Sequence, residues 1–290
     1  MKNMRITFYT ILAVVISTAS VFAQEEETAS DIEWNKTLRL RLQLNQIYFE
    51  NWTKGGENTF NGLLNVDNTF TRTGDNIKWD TISRLRYGLS RIGDDLTKVT
   101  DNELDIRSDV VFEQRKYVNI FLGASLKTQV STGFNYKKEP REALSDFMDP
   151  VYLTQKFGLD FNFIKELKLR LSFDFGEKIA DEFAAFHGVD NPATEKKEKI
   201  KFTQGMGLWS QYKRQFGEKV NLDTVYDMTV DLERFSHTII DWRAAIDFKL
   251  IKSVSLSLDA IFRYDKTQSK QGQLKQTTGI SIIYDLFDNQ

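Results

Sequence analysis

Charged residues recur two or four positions apart along short segments of this sequence. That spacing places side chains on one face of an extended strand. Asp80, Arg84 and Arg86 do so in one segment, and Asp105, Arg107 and Asp109 in the next. Lys156 and Asp160, Arg170 and Asp174, and Asp223 and Asp227 repeat the arrangement, as do Asp241 and Arg243, and Asp259 and Arg263. Most of these faces carry both signs. Charges taken out of water must be paired, and unpaired ones must stay wet. Such faces either cross-link an interior and block it or line a narrow aqueous passage. The plainer reading is a solvated interior that largely neutralises itself.

Other residue types offer less. The two histidines, His187 and His237, fall in separate loops with no second histidine at metal-ligand spacing. A surface hydrolase of the omptin kind would set Asp94 or Asp95 against His237, with Asp231 or Asp241 nearby; solvated loop charge accounts for the same residues. Ser236 and His237 are adjacent, so on a strand they point to opposite faces and do not form a nucleophile–base pair. Asp94, Asp95, Asp101 and Glu103 are oxygen ligands that could hold a divalent cation, or simply an acidic loop. No catalytic, cofactor-binding or metal-ligating residue is assigned, and the chain is not expected to be an enzyme.

The elements that carry the charges read as strands. Leu167, Leu169, Leu171, Phe173 and Phe175 alternate with Lys168, Arg170, Ser172 and Asp174. Val254, Leu256, Leu258, Ala260, Phe262 and Tyr264 alternate with Ser255, Ser257, Asp259 and Arg263. Period-two patterning of this kind gives one apolar and one polar face. Twelve segments of about ten residues can be marked this way between Trp34 and the C-terminus, about the length a tilted strand needs to cross a bilayer. Connections are short after even segments and longer after odd ones, the pattern of a membrane meander. Aromatic residues gather at both ends of the apolar face. Trp34, Phe70, Trp79 and Tyr284 stand at the short-turn end, and Phe60, Tyr87, Trp242 and Tyr264 at the other, as two membrane interfaces require. The expected fold is all-β: a transmembrane antiparallel meander barrel of about twelve strands, with short periplasmic turns and longer extracellular loops.

Bulk properties agree. Lys+Arg 39 against Asp+Glu 41 lacks the basic excess that nucleic-acid binding needs. Cysteine is absent, which excludes disulfides and thiolate chemistry, and only 3 prolines interrupt the ladders. Lys2 and Arg5 precede a mostly apolar run to Val21, and Val21-Phe22-Ala23 suits cleavage before Gln24. The division is a signal peptide over 1–23, a short periplasmic tail over 24–33 and the barrel over 34–290. Cell outer membrane is the expected location. Outer-membrane lipid and lipopolysaccharide are the expected partners, the latter meeting loop cations such as Lys137, Lys138, Arg141, Lys196, Lys197 and Lys199. A protein partner in the same membrane is a further expectation.

The loop Asn51-Trp52-Thr53-Lys54-Gly55-Gly56-Glu57-Asn58 resembles the Trp-x-x-Gly-Gly-x-Asn signature of a family of uncharacterised Bacteroidota outer-membrane proteins, catalogued as a domain of unknown function. Asp94-Asp95, the run Ser145-Asp146-Phe147-Met148-Asp149-Pro150, and Tyr284-Asp285 look similar as well. The resemblance spans the mature chain. It implies an outer-membrane barrel and brings no activity, ligand or catalytic residue. Gly55-Gly56 suits a tight turn, while Trp52 either joins the aromatic girdle or tucks the loop into the barrel mouth. The functional expectation is an outer-membrane barrel that is a narrow pore or a plugged scaffold with a charged lumen. An accessory subunit of a larger outer-membrane assembly and a loop hydrolase are the alternatives.

Overall fold

The computed structural model describes residues 32–48, 57–233, 235, 238–266 and 271–287. The proposed signal peptide, most of the tail, and Trp52, Gly55, Gly56, Ser236 and His237 lie outside the described residues. Strands β1 (Glu33–Ile47), β2 (Thr59–Thr73), β3 (Ile77–Ile92), β4 (Lys98–Phe112) and β5 (Val118–Thr128) lead into a small hairpin of β6 (Gly133–Asn135) and β7 (Glu142–Ser145). Then come β8 (Val151–Ile164), β9 (Leu167–Ile179), β10 (Ile200–Phe216), β11 (Val220–Asp231), β12 (Thr238–Ile251), β13 (Val254–Asp265) and β14 (Gln273–Leu286). All but β6 and β7 form one closed antiparallel barrel in chain order, twelve strands around. No helix occurs among the described residues. Closure removes the unpaired edges that an open sheet would expose. The seam between β1 and β14 runs only from Leu38↔Leu286 to Leu44↔Ile280, whereas β1 and β2 pair over the whole of β1. The seam is therefore among the shortest ladders in the wall.

The two faces are inverted relative to a water-soluble sheet protein. Leu42, Leu122, Leu159, Phe173, Met206 and Ile280 on the outer face are each more than a third exposed. Arg41, Asp80, Asp109, Asp160, Arg170 and Asp174, on the inner face, are buried. A soluble sandwich would reverse these faces. On the outer wall near the short turns, Phe70 packs between Trp34 and Trp79, with ring centroids 4.9 and 5.9 Å away. The strands are longer than the expected ten residues, reaching 17 in β10. Backbone pairing does not need apolar alternation, so ladders continue beyond the apolar band. For this reason Asp101 and Glu103, expected in a loop, belong to β4 and stand on the wall.

The two longest connections, 129–150 and 180–199, dock on each other. The Asp149 carboxylate accepts the backbone N–H of Asp181 (3.0 Å) and of Glu182 (2.8 Å). His187 Nε2 lies 3.1 Å from the Leu144 carbonyl, and Ala180, Ala184 and Val189 bury a small apolar knot beneath. Burial, followed by the Lys178 ammonium, holds the His187 imidazole below its ordinary value of 6.5, against the raising influence of the Leu144 carbonyl and Asp149. The fold therefore favours neutral His187. Its contribution is complete above the ordinary histidine value and is lost as pH falls through the lowered one. Amide exchange over Ala184–Val189, relative to intrinsic rates, should accelerate as pH falls from about 7 to about 5. His187→Gln should abolish that dependence; an identical pH response in the variant would remove histidine from the account.

Candidate functional site

The inner face of the barrel holds three connected groups of charges. The first lies toward the short turns. Arg170 of β9 donates from Nε to Asp160 of β8 (2.7 Å) and from Nη1 to Asp109 of β4, and its Nη2 stands 3.7 Å from Asp80 of β3. Arg107 joins Asp109 at 2.6 Å, Lys168 approaches Asp80 at 3.5 Å, and Thr71 donates to Asp80 at 2.7 Å. Three cations meet three carboxylates. Two aromatic rings complete the layer: the Arg107 guanidinium lies 4.2 Å above Trp209, and the Arg170 guanidinium lies 5.1 Å from Phe121. Beside this group Lys156 pairs with Asp174 at 3.0 Å and reaches Asp227 at 4.0 Å, while Ser172 also donates to Asp174. Two small residues make room for these carboxylates. A Cβ on Gly207 would stand 2.5 Å from Asp174 Oδ2, and one on Gly123 would collide with Asp109.

The second group crosses the barrel. β4 and β12 are six strands apart in a ring of twelve, hence diametrically opposed. Glu103 of β4 forms an ion pair with Arg243 of β12 at 2.8 Å and accepts from Arg263 of β13. Lys127 of β5 donates to Asp241 of β12 at 2.9 Å. Asp241 also takes Arg243 at 3.1 Å and Arg263 at 3.2 Å, and Asp105 lies 3.7 Å from Arg243. The third group backs the seam. Arg41 of β1 reaches Asp259 of β13 at 2.8 Å and Asp247 of β12 at 3.3 Å, and Ser257 donates to Asp247.

The sixteen charges on the polar parity take part in ion pairs, but their partners differ from those that spacing suggests. Along single strands, Arg243 does meet Asp241. Arg84 instead takes Asp67 on β2 at 3.1 Å, and Asp223 takes Lys213 and Gln211. Arg86 lies 3.7 Å from Asp101. Residues two apart on a strand are separated by about 6–7 Å, so neighbouring and opposite strands offer closer partners. The expectation of a solvated interior is corrected in part: Asp223, Asp227 and Arg263 stay more than a third exposed. Lys156, Asp160, Arg170, Asp174 and Asp259 are buried, as are Asp80, Arg107 and Asp109. Glu103, Lys127, Arg41, Asp247, Lys168 and Trp209 also belong to the networks. Parity placed Lys127, Arg41, Asp247 and Lys168 on this face, while Glu103 was expected in a loop and Trp209 was not singled out; nothing local marks a residue whose partner is several strands away.

The loop candidates separate from this site. Asp95 pairs with Lys98 at 3.1 Å in the tight connection 93–97, where Gly93, at positive φ, donates to the Asn58 carbonyl at 2.6 Å. That bond places the described end of the Asn51–Asn58 motif beside Asp94-Asp95. Asp101 is engaged by Lys275, and Asp241 by three cations.

Fold and lumen together define an all-β closed barrel with charge inside and hydrocarbon outside. Residues 44–134, from the end of β1 into β6, match a family model described as "Protein of unknown function (DUF3078)". In overall shape the chain is similar to the translocator domain of autotransporter NalP from Neisseria meningitidis (9% identity, 97% of each chain, TM-score 0.37). It is similar too to an outer membrane channel from Pseudomonas putida F1 (9% identity, 91% of this chain and 97% of that chain, TM-score 0.39). The outer membrane channel DcaP of Acinetobacter baumannii is another such structure (8% identity, 91% of this chain and 99% of that chain, TM-score 0.32). No curated protein matches the chain.

Breaking a buried ion pair from one side leaves uncompensated charge, whereas an exposed pair contributes little. Arg170→Ala should therefore lower barrel stability by about 3–5 kcal/mol. Arg39→Ala, which removes the exposed bridge to Asp285, should cost less than about 1 kcal/mol. Urea unfolding in lipid vesicles measures both, and equal losses would contradict the ranking.

Proposed function

We propose that this chain is an outer-membrane β-barrel whose lumen is closed by its own ion pairs: a plugged, non-conducting scaffold rather than an open pore. The observation that carries this reading is the bridge from Glu103 to Arg243 and Arg263, which joins opposite walls. Asp101, Glu103, Asp241 and Arg243 have side chains no more than 16% exposed, so water has little access between them. The buried layer of Arg170, Asp109, Phe121 and Trp209 narrows the passage again toward the short turns.

Placement in the outer membrane draws on the outer face. A continuous apolar wall of this extent is rare on water-soluble monomers. The aromatic residues at its ends suit headgroup regions, and closure satisfies every ladder that hydrocarbon would otherwise strand. The apolar segment before Gln24 supplies an export route. Six of the barrel's connections, beginning with 48–58 and ending with 266–272, then face the cell exterior.

Planar-bilayer recording tests the proposal. The native barrel should give no steady conductance steps. Replacing Glu103 and Arg243 together by alanine should open stepwise conductance. Steady open-channel steps from the native protein would defeat the closed-lumen reading.

A further inference from the structure

A cavity of about 60 Å³ lies within the lumen between β1–β3 and β11–β13. Arg41, Arg84, Arg86 and Arg243 line it with Asn65, against three carboxylates, Asp67, Asp223 and Asp259. Each carboxylate already holds donors: Asp67 has Arg84, Asp223 has Lys213 and Gln211, and Asp259 has Arg41. Several lining cations and amides are not matched in the same way. Asn65 Nδ2, Arg86 Nε and Nη2, and Arg243 Nη1 have no hydrogen-bond partner among the described residues. Asn65 is only 3% exposed, and the Arg86 side chain 12%. Asp101, the acid nearest Arg86, is engaged by Lys275, and its 3.7 Å separation from Arg86 is too long for a hydrogen bond.

Buried donors of this kind cost free energy unless they meet an acceptor. The excess here is one-sided: donors converge while the carboxylates are already occupied. Nε and Nη2 of a guanidinium form the edge that grips two oxygens of one oxyanion. Amide and guanidinium donors from β2, β3 and β12 face the same space. The volume exceeds the roughly 10–15 Å³ that a single water needs.

We infer that this cavity is a binding site for one small oxyanion of the phosphate or carboxylate class, held by Asn65, Arg86 and Arg243. The Arg86 fork grips two of its oxygens, and Asn65 Nδ2 and Arg243 Nη1 donate to the remainder. Asp67 and Asp223, each more than a third exposed, form the rim and repel larger polyanions. The site goes beyond the closed-lumen proposal and does not depend on it, because it requires only the barrel and these side chains.

Calorimetric titration of the full barrel in detergent, with inorganic phosphate in one arm and acetate in the other, tests the inference. Saturable one-to-one heat in either arm is expected, and the arm that saturates identifies the class. Asn65→Asp, which sets a negative charge where a donor stood, should weaken binding at least about tenfold, the scale of one hydrogen bond to a charged group. Arg86→Lys keeps the charge but loses the fork, and should also weaken binding. Heat-modifiable gel migration verifies that each variant is a closed barrel, and if Asn65→Asp fails to close, Arg86→Lys alone decides. No saturable heat in either arm, or unchanged affinity in the folded variants, would overturn the site.

Discussion

A charge inside a barrel can be kept from water only if another side chain reaches it. That constraint shapes the interior of this protein. Arg170 is surrounded by three carboxylates from three other strands, and Glu103 by cations from the opposite wall. Removing either centre would leave several partners uncompensated at once, because low polarity strengthens the pairs and also raises the cost of breaking them. The small residues follow from the same demand. Gly123 and Gly207 give backbone room to Asp109 and Asp174, and larger residues there would displace the carboxylates.

The outer wall meets the complementary constraint. Once charge is gathered inside, alternation sends hydrocarbon outward from every strand, and the surface becomes compatible with lipid rather than water. The networks also act across distance in the sequence. Arg41 ties β1 to β12 and β13 close to the short seam with β14, so one of the shortest ladders is reinforced from within by ion pairs. The long connections form a further layer, held together by Asp149 and the His187–Leu144 contact and tied to the wall through Asn102 of β4, which bonds Val130 and Ser131.

The wall was legible from sequence because its rule is local. Each residue on a strand reports its own face, so the twelve strands, their meander order and the closing of the last on the first could be read from alternation. What alternation cannot report is depth and reach. Trp209 and Phe121 are apolar residues on the charged face, where they pack under guanidinium groups supplied by other strands. Glu103 looked like a loop acid because the sequence around it loses its apolar rhythm, although the hydrogen-bond ladder does not. The docking of 129–150 on 180–199 also escaped the reading, since it depends on one carboxylate meeting two distant amides.

The central claim is that Glu103 and Arg243 join opposite walls as a single coupled pair. A double-mutant cycle measures this directly, comparing the unfolding free energies of Glu103→Gln, Arg243→Gln and the double variant in lipid vesicles. The account predicts a coupling of about 0.5–3 kcal/mol, the range for residues within one ion-pair network. Additive losses, with coupling indistinguishable from zero, would contradict it.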